Sequence, residues 1–315
     1  MRIHFPRFGI VVLIIIAAGL LPLLPFDNYW MENLDVALVY VILVLSLNLA
    51  YGFAGQLSLG HAGLFAIGAY VSAIVTVTYH QGFIVGLGGA LAAGLVAGAM
   101  IGAPSLRLRS HYLAFATLGF GAIVQLSIIN LPKWTGGSDG FVSIPSPVIL
   151  NWSVDTVWRY YYLLLAFVIL VGLMSINIQH SKLGRALIAL REDELAARQV
   201  GVNTATLKIF IFVVSAGIAA LAGSLYAHLF TFISPDAFSF TLSIQLVMMM
   251  IVGGAGTISG SIIGAVVVTL LPEILRFSQA YYGVIFGLSV LVVVAFMPDG
   301  IVGLCRKLWA LTRTF

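Results

Sequence analysis

The chain has 315 residues, of which 61% are hydrophobic and 8% are charged, and its mean hydropathy is +1.10. Soluble domains carry roughly 25% charged residues, so this composition excludes a soluble globular protein and indicates a surface that faces lipid. Cys305 is the only cysteine, which excludes an internal disulfide and a cysteine-clustered metal site.

The apolar runs predict about ten membrane crossings. A helix needs about 20 apolar residues to span a bilayer, and residues 36–106 contain no Asp, Glu, Lys or Arg. Runs of this length favour helices over barrel strands, which alternate over about ten residues. We therefore expect an all-α, polytopic integral membrane protein with a single domain over residues 1–315. The predicted spans are 8–25, 34–51, 58–79, 83–103, 112–131, 159–178, 209–232, 242–256, 258–272 and 281–297, and glycines make the third, eighth and ninth discontinuous.

Basic residues predict the orientation, because loops on the cytoplasmic side are enriched in Lys and Arg. Placing both termini in the cytoplasm leaves three basic residues outside, Lys133, Arg159 and Arg276. This makes residues 132–158 an extracytoplasmic loop and residues 179–208 a cytoplasmic loop. The bias also explains the formal charge of +4 without a nucleic-acid partner. The inside set is Arg2, Arg7, Arg107, Arg109, Lys182, Arg185, Arg191, Arg198, Lys208, Arg306, Lys307 and Arg313.

Two glycine-rich segments, residues 51–70 and 252–264, interrupt the hydrophobic runs and share a G-x-A-G pattern followed by Ser. Discontinuous helices often mark a substrate path, since freed backbone groups can face a polar solute there. The alternative is tight packing of small residues, with the polar side chains bonded to local carbonyls. The candidate pathway residues are Asn48, Gly52, Gly55, Gln56, Ser58, His61, Gly253, Gly256 and Ser259.

The spans lack the residues that other classes of membrane protein need. Asp35 and the other carboxylates are predicted at span ends or in loops, which disfavours an ion-coupled carrier. Neither a nucleophile with a base nor a P-loop is found, so we expect no enzyme activity and no cofactor on this chain. Energy for active transport would come from another polypeptide.

Residues 181–208 form the one long charged segment, with five Lys or Arg and three acids. Leu183, Leu187, Leu190 and Ala197 recur at roughly helical spacing, which predicts a short amphipathic helix. Gly201 and Asn203 indicate its end. A solvated connector is the alternative, although a plain connector needs only a few residues.

The sequence resembles permease subunits of branched-chain amino acid ABC importers, specifically the LivM-like branch. The resemblance covers most of the chain, from about residue 47 to residue 303. It is carried by LNLAYGFAGQLSLGHAGLFAIGAY (47–70), HYLAFATLGFGAIVQ (111–125), TGGSDG (135–140), SKLGRALIALREDELAARQVGVN (181–203) and IVGGAGTISGSIIGA (251–265).

This resemblance implies several partners: a second homologous permease, two cytoplasmic ATPase subunits that hold ATP and Mg, and an extracytoplasmic solute-binding protein. It also implies that the cytoplasmic loop inserts into the ATPase. Leu195 stands where the general importer pattern, E-A-A with Gly after three further residues, has its Glu. The implied coupling residues are Gly184, Arg185, Ala186, Arg191, Glu192, Glu194, Ala196, Ala197 and Gly201.

The sequence therefore predicts a bacterial inner-membrane permease that forms half of a translocation pathway for Leu, Ile and Val. An alternative within the family is import of urea, short amides or aromatic acids. A stand-alone channel or secondary carrier, and a membrane enzyme acting through Ser58 or His61, are alternatives from other classes.

Overall fold

The computed structural model describes residues 18–23, 27–105, 110–149, 152–274, 287 and 300–304. In this part of the chain, six helical segments are long and apolar enough to cross a membrane, and two shorter apolar helices follow. These eight correspond to the second to ninth predicted spans, with ends displaced by a few residues. The predicted span 8–25 lies mostly outside the described residues, and the span 281–297 almost wholly so.

The helices, numbered in chain order, are α1 Asn28–Leu47, α2 His61–Ala73, α3 Phe83–Ser105, α4 Ser110–Asn130, α5 Pro132–Thr135, α6 Val157–His180, α7 Lys182–Glu192, α8 Glu194–Gln199, α9 Thr204–Phe230, α10 Phe240–Gly253 and α11 Ile258–Ile274. Helix α1 continues as a π-helical segment, Asn48–Phe53, and α2 continues as another, Ile74–Thr78. Short 3-10 turns occupy Leu21–Leu23, Gly137–Asp139 and Pro235–Phe238.

The fold is helical as predicted, with a small two-stranded antiparallel hairpin in one loop. Its strands are β1 Val148–Ile149 and β2 Trp152–Ser153, with Val148 opposite Ser153. It lies in the predicted outer loop, which also bonds to the segment after α9 through a bridge between Phe141 and Ile233. Gly, Ser and Pro residues predicted turns here, but two strands of two residues are too short to give an alternating pattern.

Polar side chains fix where several helices begin. Asp27 accepts from the N–H of Asn28 at the start of α1, and Asn203 accepts from the N–H of Thr206 at the start of α9. Because the first N–H groups of a helix have no partner within it, such caps stabilise its first turn. The long apolar runs supply the rest of each helix.

The bundle has two distinguishable ends. We call the end that carries residues 181–204 the charged end, and it also holds the last turn of α1 and the turn between α10 and α11. At the opposite end lie the hairpin and the start of α1, where the Tyr29 hydroxyl bonds to the Glu273 carboxylate at the end of α11. Each long helix therefore runs from one end towards the other.

Helix α9 lies at the centre of the core, with α2 and α3 packed closely against it. A Cβ on Gly68 of α2 would overlap the carbonyl oxygen of Ala220, and one on Gly94 of α3 would overlap the Cβ of Ala220. A Cβ on Gly98 would lie 2.6 Å from the Cβ of Ala216. Small residues at such crossings let helices approach closely where lipid gives no hydrophobic driving force.

Candidate functional site

The two glycine-rich breaks meet at Asn48, which is buried. The N–H of Gly256 donates to Asn48 Oδ1 at 2.8 Å, and Asn48 Nδ2 donates to the carbonyl of Thr257 at 3.5 Å. A Cβ on Gly52 would overlap the Asn48 side chain. The end of α1 and the turn after α10 therefore form one unit, which we call the glycine joint (residues 48–56 and 253–257).

The backbone of the glycine joint favours glycine at three positions. Gly55, Gly254 and Gly256 have φ values of +69°, +120° and +81°, in the region that side chains disfavour. At Gly55 the chain leaves α1 while its N–H donates to the carbonyl of Tyr51 at 2.9 Å, and the next N–H, of Gln56, donates to that of Ala50. These bonds satisfy carbonyls in the last turn of the helix.

Arg191, at the end of α7, connects the charged segment to the glycine joint. Its Nη1 donates to the carbonyl oxygen of Gly52 at 2.5 Å. A Cβ on Gly55 would lie 3.4 Å from Arg191 Cγ, and one on Gly256 would lie 2.6 Å from Arg191 Nη1. A side chain at Gly256 would therefore displace the guanidinium, whereas a Cβ on Gly55 would only reach ordinary van der Waals contact with the arginine stem.

Helix α2 begins inside the bundle, as a discontinuous span requires. His61, its first residue, contacts Ser215 of α9 through Nε2 at 3.0 Å, and Ser215 donates to the carbonyl of Ser46 at 2.6 Å. Ser46 lies seven residues before the end of the α1 segment at Phe53, which is about 10 Å along a helix. The chain thus turns back into the bundle after Phe53 before α2 starts.

His61 and its neighbours are fully engaged within the chain. His61 Nδ1 contacts Ser58 Oγ at 2.9 Å, so both ring nitrogens are bonded and the side chain is buried. The N–H of Leu59 donates to Thr117 Oγ1 of α4 at 3.0 Å. Ser58 and His61 thus brace the unwound backbone, whereas contact of either residue with a solute stays a prediction.

Gln56 differs from the other polar residues of the break. Its side chain is only 3% exposed, yet no described residue bonds to its Oε1 or Nε2. A buried primary amide without partners is costly, on the order of 1–3 kcal/mol for each unsatisfied group. Among the predicted pathway residues with buried side chains, Gln56 is therefore the one whose polar atoms no described residue satisfies.

The second break is the turn that connects the two short helices α10 and α11. A Cβ on Gly253 would overlap the carbonyl oxygen of Gly260, so the two helices pack tightly beside this turn. Ser259, which we predicted in the pathway, lies on the exposed side of α11. The structure therefore brings Gly253 and Gly256 to the joint but not the Ser259 side chain.

The charged segment forms two helices rather than the single one predicted. Asp193 ends α7 and caps α8 by accepting from the N–H groups of Leu195 and Ala196 at 2.8 and 3.1 Å. Ser181 caps α7 in the same way, accepting from the N–H of Gly184 at 3.1 Å. Helical spacing alone did not reveal the break, because an Asp inside an amphipathic pattern resembles any solvated residue.

Glu194 fastens α8 to the start of α9. Its carboxylate bonds to Arg198 Nη2 and Lys208 Nζ, each at 2.6 Å. Partial burial acts to raise the pKa of Glu194, but the hydrogen bonds and charges of Lys208 and Arg198 outweigh it and lower that pKa below its ordinary value. This ion pairing is therefore intact at neutral pH and is lost only in acid, as pH falls through the lowered pKa.

Large apolar side chains are exposed beside these charges. Leu195 is 71% exposed and Val200 is 79% exposed, while Leu187 and Leu190 of α7 are buried against the bundle. Exposed apolar groups ringed by charges are typical of a surface that another protein covers. The segment thus has an inner face fixed to the bundle and an outer face available to a partner.

Comparison with known proteins places the chain in a family. The family described as branched-chain amino acid transport system / permease component matches residues 31–295. The chain belongs to this permease family. Together with the six long apolar helices of the described residues, this assignment supports a membrane protein that crosses the bilayer several times. Its role is that of a transport permease subunit.

Two curated relatives carry the name LivM, high-affinity branched-chain amino acid transport system permease protein. That of Salmonella typhimurium is 33% identical over 300 residues, covering 87% of this permease and 71% of the relative. That of Escherichia coli K12 is 32% identical, with the same coverage of both chains. LivH of Escherichia coli K12, named a permease protein of the same transport system, is 25% identical over 88% of this permease and 96% of its own length.

The residues that the LivM-like resemblance assigns to ATPase coupling lie in different environments. Gly184 packs against the carbonyls of Ile178 and Gln179, and Ala197 is buried, so neither residue is on the exposed surface. Ala186 and Glu194 are half-buried, and the exposed members are Arg185, Arg191, Glu192, Ala196 and Gly201. Arg191 is the exposed member whose Nη1 donates to the Gly52 carbonyl of the glycine joint.

Sequence reasoning placed Asp35 at the edge of a span, but the structure buries it. Helix α1 begins six residues earlier than predicted, and Asp35 is 0% exposed within it. No described residue hydrogen-bonds to either carboxylate oxygen. Asn28 and Glu32 give this region the polar composition of a loop, so the hydrophobic pattern did not predict where α1 begins.

A polar cluster between α2 and α9 was also missed. Ser72 Oγ contacts His228 Nε2 at 3.0 Å and accepts from Ser224 Oγ at 2.8 Å, and His228 Nδ1 contacts the carbonyl of Pro145 at 2.7 Å. This cluster borders a cavity of about 320 Å³ at the opposite end, which Glu32 and Asp155 also line. Isolated polar residues in different apolar runs of the sequence do not indicate that they lie close together in the fold.

Proposed function

We propose that this permease forms one half of the translocation pathway of an ATP-driven importer of branched-chain amino acids. The observation that carries the proposal is the bond between Arg191 and the Gly52 carbonyl, since it joins a charged, partner-facing segment directly to the two breaks in the membrane helices. An importer powered from outside the membrane needs such a connection.

The substrate is proposed from the relatives. The LivM and LivH proteins are named for branched-chain amino acid transport. In this permease the buried amide of Gln56 and the joint backbone supply polar groups, and the surrounding Leu and Phe side chains suit an aliphatic solute. Urea, short amides and aromatic acids remain the alternative substrates of the same architecture.

The proposed assembly contains a second homologous permease, two cytoplasmic ATPase subunits with ATP and Mg, and an extracytoplasmic solute-binding protein. That LivM and LivH are two different permeases of one transport system supports a paired arrangement. Helices α3 and α4 expose most of their length and leave surface for lipid and a second permease. Leu195 and Val200 offer an apolar contact for the ATPase.

We further propose that the charged end faces the cytoplasm of a bacterial cell and that the opposite end faces outwards across the inner membrane. At the charged end the described basic residues are Lys182, Arg185, Arg191, Arg198 and Lys208. The opposite end carries Lys133 and Arg159. This excess follows the general preference of cytoplasmic loops for Lys and Arg, and it supports two cytoplasmic termini.

The proposal is tested by uptake into proteoliposomes that contain the complex purified through a tag on this permease. With a binding protein outside and ATP at the ATPase, we expect radiolabelled leucine to accumulate, and ADP in place of ATP should abolish this. Urea and phenylalanine, assayed in parallel, test the alternative substrates. Leucine movement that needs no ATP and only follows its gradient would establish a channel or carrier instead.

A further inference from the structure

Arg191 is an exposed residue of the charged segment, but its Nη1 atom lies at the glycine joint. Nη1 donates to the Gly52 carbonyl and lies beside Gly256, and the aliphatic stem packs against Gly55. Arg185 of the same helix instead bonds through its Nη1 to the carbonyl of His180. The bond across to the joint therefore distinguishes Arg191 from Arg185.

We propose that Arg191 is a positioning residue that transmits movement of α7 to the glycine joint and does not itself bind the ATPase. The inference rests on the proposed function, because it requires an ATPase that moves α7. It assigns the docking to residues such as Leu195 and the transmission to the arginine whose Nη1 bonds to the glycine joint.

The acceptor of the hydrogen bond explains why one side chain can hold the joint. The Gly52 carbonyl lies in the last turn of the α1 segment, where carbonyls lack intrahelical donors and the helix dipole is negative. A guanidinium satisfies both the missing hydrogen bond and the partial charge. A neutral side chain at position 191 would remove the positive charge from that carbonyl.

The contacts of Arg191 also include both breaks at once. Gly52 is on the first break and Gly256 is on the second, and the Gly256 N–H already bonds to Asn48 Oδ1 at 2.8 Å. Displacement of Arg191 therefore acts on α1, α10 and α11 together. Both segments contain positive-φ glycines, and glycine gives the backbone access to conformations that other residues disfavour.

Apolar packing of α7 also joins it to the bundle, because Leu187 and Leu190 are buried. The hydrophobic effect is non-directional, whereas a charged hydrogen bond to a backbone carbonyl adds geometric specificity. The arginine thus adds a directional contact to the apolar one.

The test compares four forms of the complete complex: wild type, Arg191→Gln, Leu195→Asp and Lys182→Gln. Lys182, an exposed residue at the start of α7, serves as the control for loss of one positive charge. Three quantities are measured: ATPase recovered with the permease, leucine transported per ATP hydrolysed, and hydrogen exchange of residues 48–58 and 253–258.

For Arg191→Gln we expect normal ATPase recovery, about tenfold less leucine per ATP, and faster exchange confined to the two joint segments. Arg191→Lys should restore part of the leucine-to-ATP ratio because it keeps a charged donor. Leu195→Asp should release the ATPase while the joint keeps its slow exchange. Lys182→Gln should match wild type in all three measurements.

Loss of the ATPase from Arg191→Gln would overturn the inference by making Arg191 a docking residue, and so would an unchanged leucine-to-ATP ratio or unchanged joint exchange. If the wild-type permease is purified without any ATPase, both the proposed function and the transmission role are overturned. The two failures are therefore distinguished by the wild-type complex alone.

Discussion

Asp35 shows what a single buried residue contributes to this permease. Its carboxyl group is enclosed in α1, beside Tyr160 and Tyr161 of α6, and receives no hydrogen bond from the described residues. Burial of a carboxylate in a membrane protein is expensive unless the group is paired or functional. The residue therefore adds polarity to the core without a compensating bond in the described part of the chain.

We expect Asp35→Asn to leave the stability of the permease unchanged or to raise it by about 1–3 kcal/mol, because a neutral amide of the same shape is less costly to bury. The measurement is the thermal unfolding midpoint of the purified permease in detergent. Asp139→Asn, on an exposed loop residue, is the control and should have no effect. A marked fall in the midpoint for Asp35→Asn would mean that a partner stabilises the charged form.

Individual site residues could be predicted to different extents. Asn48, Gly52, Gly55 and Gly256 were proposed from the glycine-rich pattern, and the structure brings them together. Their mutual contact could not be predicted, because 208 positions separate Asn48 from Gly256. The bond from Arg191 to the Gly52 carbonyl could not be predicted from the sequence either, since it depends on a tertiary contact.

At the level of helices, run length predicted position well because the bilayer sets a minimum length for every apolar helix. The predicted span 83–103 corresponds to Phe83–Ser105, and the span 159–178 corresponds to Val157–His180. The start of α1 and the division of the charged segment were missed, since both depend on capping by Asp27 and Asp193. Each cap is a single residue, which hardly changes the composition of a segment, so composition predicts helix ends poorly.

The packing of α3 on α9 gives a second prediction. Gly94→Ala should destabilise the permease by roughly 1–3 kcal/mol, because its Cβ would overlap Ala220 and lie 2.8 Å from the carbonyl of Ala216. Gly88→Ala, on the same helix with nothing within 4 Å, should be neutral or stabilising. Thermal unfolding of the two variants side by side checks this, and equal midpoints would contradict the proposed close approach.

At the level of the whole molecule, the proposed function requires that energy from another subunit reach the membrane helices through the charged end and the glycine joint. The permease has helices, breaks and an arginine that bonds to one of them, and its sequence contains no P-loop to bind nucleotide. The family assignment shows a transport permease component. The account therefore depends on a partner ATPase at the charged end.

The most direct test of this claim is a pull-down of the tagged permease from its native membrane in mild detergent, followed by mass spectrometry. The account predicts that an ATPase subunit and a second, similarly hydrophobic permease are recovered in stable amounts. Recovery of this permease alone, in a form that still moves solute into vesicles without ATP, would contradict it.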